Sequence, residues 1–337
     1  GTPLVEINTC LQEQNQELAF EPPDLGPLLG TDAGEATLGG TIACNLSGPR
    51  RVRAGAARDH FLGMHAVNGR AESFKAGGRV VKNVTGYDLC KLIAGSYGTL
   101  AILTEVTVKV LPRAEKTRTV LVFGLEDTEA MSALSNAVAS VHEPTALAHL
   151  PIAISGRSSV DLVATAGRAV TAVRVEGPAP SAIFRCERLR DIFSKLGDVE
   201  ELHGKKSAAF WKEIANVMPF VTPQEFTVWR IAVAPISAAL VTAAIGSKCE
   251  AEWYYDWAGG LIWLATPLSD SSSTNIIRDS VASVGGQATL VRADANVRAL
   301  TSGFEPLPTA LYKLSAKIKH SFDPKRILNP GRLYAGI

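Results

Sequence analysis

Two rhythms of apolar residues alternate along the middle of the chain. Runs at Thr119–Phe123, Thr171–Val175, Phe226–Ala234, Ala251–Asp256, Leu261–Thr266 and Ala288–Arg292 carry the short, β-branched and aromatic texture of strands. A segment entered at Asp127 and the segments Ser181–Leu196, Ser237–Ile245 and Thr274–Val284 instead repeat apolar residues at helical spacing. From Phe226 onward the order reads β-α-β-β-α-β, the split βαβ signature. With further strands expected near Ala146–Ile154 and Val160–Ala164, the run before it approximates the same order. An antiparallel sheet with helices over one face is predicted here.

The flanks have a different texture. From Gly1 to Pro112, glycine-rich turns separate short elements. Leu4, Ile7 and Leu11 stand at helical spacing, with Thr2 placed as N-cap and Pro3 as first helical residue. Leu62–Val67 reads as a strand, and Val106, Val108 and Val110 alternate with Thr107 and Lys109 in another that Pro112 closes. Tyr87 to Ala94 predicts a helix with Leu89, Leu92 and Ile93 inside and Gly95 as its C-cap. Near the end, "TALYKLSAKIKHSF" reads as a helix. In the "DPKRILNPGR" that follows, Asn329 is suited to hold a turn, either clamping the C-terminus or meeting a ligand. The texture divides the chain at about residues 1–112, 113–308 and 309–337.

Composition narrows the chemistry. A chain of 337 residues is long for one core and favours two domains. Lys plus Arg (34) against Asp plus Glu (33) gives a formal charge of +1. No global field draws in nucleic acid or an anionic membrane, so any anion site must be local. Cys10, Cys44, Cys90, Cys186 and Cys249 lie far apart, with no CxxC pair or cluster-binding run, which fits reduced thiols in the cytoplasm. The six histidines form no HxxH or HxxxH pair, so no metal site is predicted. The apolar stretch Ile231 to Gly246 contains Pro235 and reads as a strand followed by a helix, not a membrane span.

Two stretches are candidate anion or cofactor sites. In "GEATLGGTIACNLSGPRR", Gly34 to Arg51, the pair Gly39–Gly40 lets backbone approach an anion, and "TIACNL" reads as a helix whose N–H groups would point at it. A tight turn between core segments explains the same glycines. Neither a P-loop nor a GxGxxG opening a helix after the first strand is present, so a dinucleotide would need another scaffold. In "GSYGTLAILTE", Gly95 to Glu105, a turn enters a strand with backbone groups free to pair with a flat heteroaromatic edge. Arg50, Arg51 and Arg53 read as a solvated basic face or as a device steering an anion or partner. Trp253, Trp257 and Trp263 read first as core.

"ATLGG…NLSG", "GRVVKNVTGYDLCKLIAGSYGTLAILTE" and "FDPKRILNPGRLYAG" resemble the FAD-binding family of vanillyl-alcohol oxidase and p-cresol methylhydroxylase. "FWKEI", "VWRIAV" and "YDWAGGLIWL" are similar to the E-subunit branch of the bacterial glycolate oxidases. The resemblance implies an α+β fold: an FAD-binding domain of the p-cresol methylhydroxylase type over residues 1–112, a cap of antiparallel sheet and helices over 113–308, and a segment 309–337 that returns to the FAD domain. It implies FAD contacts at Thr37, Leu38, Gly39, Gly40, Ser47 and Gly48, and backbone contacts at Gly98, Thr99, Leu100, Ala101 and Ile102. Ala101 stands where many relatives have glycine.

The implied activity is oxidation of glycolate, a small 2-hydroxy acid, within a complex containing a second FAD subunit and an iron–sulfur subunit. Any membrane association would be made through those partners. The alternative is an assembly or electron-relay subunit without substrate chemistry of its own. No catalytic base and no partner for a substrate carboxylate is identified. The family's glycine-rich pyrophosphate loop lies upstream of the helix at Leu4 and is not in the sequence, and the chain opens without Met. An N-terminal portion is therefore expected before Gly1.

Overall fold

The computed structural model describes residues 1–80, 86–267 and 271–337. Lys82 and the first part of the "KNVTGYDL" motif lie outside the described residues.

The first module begins with α1 (Leu4–Glu13), whose N-cap is Pro3, one residue later than the spacing predicts. α2 (Leu38–Cys44) takes in both glycines, since the Thr37 hydroxyl caps it. β1 (Phe61–Asn68) is the middle of a three-stranded antiparallel sheet between β2 (Ser73–Gly77) and β3 (Ala101–Val108). α3 (Leu89–Ile93) is capped by the Asp88 carboxylate, which accepts from the Lys91 N–H. Leu4, Phe20, Ile42, Phe61 and Ile93 form this module's core.

The remainder is organised on one eight-stranded antiparallel sheet. Its first half runs β4 (Lys116–Phe123), α4 (Asp127–Val138), β5 (Ala146–Leu150), β6 (Val170–Gly177), α5 (Ala179–Phe193), β7 (Val199–His203). A helix α6 (Gly204–Ala215) follows. The second half runs β8 (Thr227–Ala232), α7 (Ala238–Gly246), β9 (Glu252–Asp256), β10 (Leu261–Thr266), α8 (Ser271–Ala282), β11 (Gln287–Arg292). The spatial order is β11-β8-β10-β9-β5-β6-β4-β7. Numbered within its own half, each set of four strands lies in the order 4-1-3-2, and the two halves join strand 2 to strand 2 where Tyr255 pairs His149. Two split βαβ units thus make one sheet.

Neighbouring residues on these strands face opposite cores, as the period of two requires. Val120 and Val122 pack with Leu134, Leu189, Val241 and Ile277 of the helical layer. Leu121 and Phe123 pack on the other side with Phe210, Trp211 and Ile214 of α6 and with Leu28 of the first module. The sheet is covered on both faces, not only on the helical one. The strand expected at Val160–Ala164 is a helical turn, Asp161–Ala164, because Val160 and Val163 are buried together at i, i+3. The strand expected at Ala146–Ile154 ends at Leu150, since Pro151 leads into a second helical turn, Ile152–Ser155. No helix among the described residues is long and apolar enough to cross a membrane. The chain closes with α9 (Thr309–Phe322) and an irregular tail.

Candidate functional site

The N-terminus of α2 is less open than its glycines imply. The Leu38 N–H donates to the Thr2 carbonyl at 3.1 Å, and the Thr41 N–H donates to the Thr37 carbonyl at 2.9 Å. The Gly40 N–H donates to the Thr37 hydroxyl at 3.2 Å. Among the described residues, only the Gly39 N–H of this first turn lacks a partner. A Cβ added at Gly39 would meet nothing within 4 Å, whereas one at Gly40 would stand 3.1 Å from the Thr37 hydroxyl. Gly39 therefore faces free space, and Gly40 serves its own cap.

Ser47 and Gly48 are engaged by the protein itself. The Ser47 hydroxyl accepts from the Ala57 N–H at 2.8 Å. A Cβ on Gly48 would lie 2.3 Å from the Glu21 carbonyl, so close backbone packing explains this glycine. The Gly48 carbonyl in turn accepts from Trp257 Nε1, 3.0 Å away on the sheet domain.

At the opposite end of α2, the Gly95 and Tyr97 N–H groups donate to the Ile42 and Ala43 carbonyls at 3.2 and 2.8 Å. The two candidate turns thus sit at the two ends of one seven-residue helix, about 10 Å apart. Gly98 has φ +70°, and a Cβ there would meet the Asn329 amide at 2.8 Å. Thr99, Leu100 and Ala101 are buried, while Ile102 is 56% exposed at the start of β3, the edge strand of its sheet.

The tail locks this turn through a residue the sequence reading did not single out. Lys319 is buried, and its ammonium donates to the Thr99 carbonyl, the Asp323 carboxylate and the Leu328 carbonyl at 2.8, 2.7 and 2.7 Å. Burial opposes ionisation of Asp323, but hydrogen bonds from Lys319 and from the Leu328 and Ile327 N–H groups outweigh it and hold the carboxyl below its usual range. Asn329 adds an exposed bond to the Tyr97 carbonyl at 2.8 Å. The i, i+4 spacing of Lys319 and Asp323 was the available signal.

Between α1, the segment 16–36 and α6 lies a cleft of about 750 Å³. Gly34 and Ala36, just before Thr37, line it, as do Trp211 and Lys212. Its wall carries interlocked charges. Arg174 grips Glu21 with two bonds of 2.8 Å, and Arg50 reaches Glu17 and Glu176, both at 2.6 Å. Burial raises the Glu176 carboxyl, yet Arg174 and Arg50 more than compensate and bring it down to about 2. Arg50 is correspondingly driven above its ordinary range. Arg53 pairs with Glu143 at 2.7 Å. The basic cluster is thus divided: Arg50 is buried against acids of both modules, while Arg53 remains on a solvated face, its pair with Glu143 exposed.

Arg51 has a different environment. Its guanidinium lies over the Trp257 ring at 4.4 Å, and that of Arg230 lies over the same ring at 5.2 Å. Neither has an ion pair among the described residues. Asp256 donates no charge freely to them: burial pushes its carboxyl up to about 8, against a hydrogen bond of 2.7 Å from the Trp257 N–H. Trp253 and Trp263 are core, as expected, but Trp257 combines core packing with this polar role. Among the histidines, His149 is buried between Thr171 and Asp127. No group of metal-ligating side chains occurs among the described residues.

No protein-family model matches the chain. It is 34% identical over 336 residues to glycolate oxidase subunit GlcE of Escherichia coli, covering 99% of this chain and 80% of that one. An FAD-linked oxidoreductase of Mycobacterium tuberculosis is 28% identical over 99% of this chain and 75% of its own. Among solved structures, alkyldihydroxyacetonephosphate synthase matches with a TM-score of 0.66 at 18% identity, covering 97% of this chain. The chain spans 62% of that synthase's length, and the likeness is one of fold.

Proposed function

The chain belongs to the glycolate oxidase E-subunit family of FAD-linked oxidoreductases, and from that premise we propose that it is the FAD-binding subunit of a multi-subunit dehydrogenase that oxidises glycolate to glyoxylate. The supporting observation is the unfilled space at Gly39, three residues along the chain from Ala36 in the lining of the cleft. Thr37 to Gly40 would hold the pyrophosphate, and the open edge of β3 at Ala101 and Ile102 would offer backbone groups to a ring. Ser47, Gly48, Gly98, Thr99 and Leu100 would shape the site through backbone placement. When bound, FAD takes up the hydride released as the alcohol carbon becomes a carbonyl.

A second FAD subunit and an iron–sulfur subunit complete the proposed complex and receive the electrons. We assign the FAD domain to residues 1–112, the cap to 113–308 and the returning segment to 309–337. A relay or assembly role is the second reading, favoured by the three satisfied N–H groups at α2.

The purified full-length protein is expected to carry flavin absorbance, and Gly39→Leu is expected to lose most of it while circular dichroism and melting of the sheet domain stay unchanged. Full flavin content in that variant would overturn the assignment. Bleaching of the flavin by glycolate separates substrate chemistry from relay.

A further inference from the structure

We propose that Arg230 and Arg51, whose guanidiniums both lie over the Trp257 indole, form the seat for the carboxylate of a small hydroxy acid, an inference that deepens the proposed function and rests on it. A guanidinium presents its N–H donors in a plane that matches a carboxylate. The other arginines that join the first module to the sheet already hold acceptors, Arg292 those of backbone carbonyls including Leu28. Arg50 and Arg174 are taken by Glu17, Glu21 and Glu176, and Arg53 by Glu143. Arg230 and Arg51 lie against the indole with no ion pair or side-chain hydrogen bond among the described residues, and an aromatic face leaves the edge donors of a guanidinium free.

The surroundings add positive potential and few negative groups. Burial weakens the hold of Arg230 on its proton; Tyr97 and Asp256 oppose this, and Arg51 adds to it. The Asp59 carboxylate, the acid that acts on Arg51, is occupied by the Ala56 N–H at 2.8 Å. Arg332 acts on the Tyr97 phenol from the tail, so the tail brings a third guanidinium to the same locality. An anion arriving here relieves a concentration of like charge.

Backbone strain marks the same place. Tyr97, Trp257 and Ala258 adopt φ of 54°, 52° and 55°, the left-handed region that ordinary residues avoid. These three residues belong to the turn after α3 and to the β9–β10 connection, and Arg230 faces both, lying over Trp257 and acting electrostatically on Tyr97. The Trp257–Gly48 hydrogen bond fixes the indole against the segment that follows α2. The seat is therefore rigid and adjacent to the candidate cofactor residues.

Oxalate, which offers a carboxylate and does not react as an alcohol, is the probe. Calorimetric titration of the purified protein with oxalate is expected to show saturable binding, weakened at least about tenfold in Arg230→Gln and less in Arg230→Lys, with the exposed Lys248→Gln unchanged. Flavin content is measured on the same samples. Retained flavin with lost oxalate binding in Arg230→Gln supports the seat. Lost flavin in that variant shows that Arg230 holds the cofactor, and overturns the seat. Oxalate binding that persists in Arg230→Gln overturns it, as does displacement of oxalate by an equal concentration of inorganic phosphate, which would reveal a phosphate site. Oxalate binding in a protein that carries no flavin would leave the seat standing and sink the FAD reading. Should Arg230→Gln fail to fold, Arg51→Gln and Arg230→Lys decide the matter by the same titration, and unchanged affinity in both overturns the seat.

Discussion

Arg50 and Arg51 are neighbours in the chain and opposites in the fold. Arg50 sits among three glutamates, two of its own module and one of the sheet, and every face of its charge is answered. Arg51, one residue on, lies over Trp257 beside Arg230 without an ion pair among the described residues. A buried charge that is fully paired fastens elements together, because removing any one partner strands the others in low dielectric. A charge stacked on an aromatic ring keeps hydrogen-bonding capacity in reserve. The difference separates the arginines that hold the two modules together from those able to receive a ligand.

The largest expected effect tests the paired side. Arg174→Met removes both short bonds to Glu21, leaving it only the more distant Arg50, and leaves Glu176 with one arginine, and is expected to cost about 3–5 kcal/mol of unfolding free energy. Lys319→Met belongs to the same class, since it strands Asp323 beneath the tail. Arg51→Met should cost only about 0.5–2 kcal/mol, the range of a cation–π contact. Urea denaturation of the three variants checks the ranking. Equal losses in Arg174→Met and Arg51→Met would erase the distinction.

The next effect depends on pH, and Asp256 and Glu176 pull in opposite directions. Glu176, held at about 2, contributes stability that is present above the ordinary carboxylate range and lost as pH falls toward 2. Asp256, pushed up to about 8, remains protonated in the native state while its unfolded counterpart ionises near 4. Its contribution therefore declines as pH rises from about 4 to about 8. Asp256→Asn cannot titrate and keeps an acceptor for the Trp257 N–H. The variant is expected to gain on the wild type by on the order of a few kcal/mol across that window. Parallel stability curves for the two proteins between pH 5 and 8 would show that Asp256 ionises normally.

The sheet was readable because each half repeats the same succession of apolar periods, its central strands as continuous apolar runs and its helices through apolar residues at i, i+3. β7 escaped because only Leu202 of its five residues is buried, so an edge strand rich in Glu carries little signal. α6 was visible in principle through Ser207, Phe210, Trp211 and Ile214 at i, i+3, i+4, i+7. The site was harder to read. A glycine demanded by backbone packing, as Gly48 is by Glu21, looks the same in sequence as one demanded by a ligand. The fates of Arg50 and Arg51 could not be told apart, because adjacent residues on a helical turn point about 100° apart and two of the partners that separate them, Glu176 and Trp257, lie more than a hundred residues away. Thr37 was read only as a cofactor contact, whereas its hydroxyl caps α2 and consumes one of the N–H groups that a phosphate would need.

The smallest effect sharpens the comparison at the tail, where a buried charged anchor and an exposed neutral one hold the same turn. Lys319 reaches Thr99 from inside, while the Asn329 amide reaches the Tyr97 carbonyl from the surface. Water can replace an exposed bond, so Asn329→Ala should cost only about 0.5–1.5 kcal/mol. Part of that comes from the backbone, because Asn329 has φ 43° and alanine tolerates the left-handed region less well. Arg230 and Arg332 both act electrostatically on the Tyr97 phenol, so a loosened turn has a second readout. If Asn329 merely clamps the tail, its replacement lowers the melting temperature slightly and leaves flavin absorbance and oxalate affinity as they were. If it positions Tyr97 for the site, oxalate affinity falls while melting stays near normal. Melting, flavin absorbance and oxalate titration on one sample decide between the two, and a loss as large as that of Lys319→Met would show that the exposed anchor carries as much of the tail as the buried one.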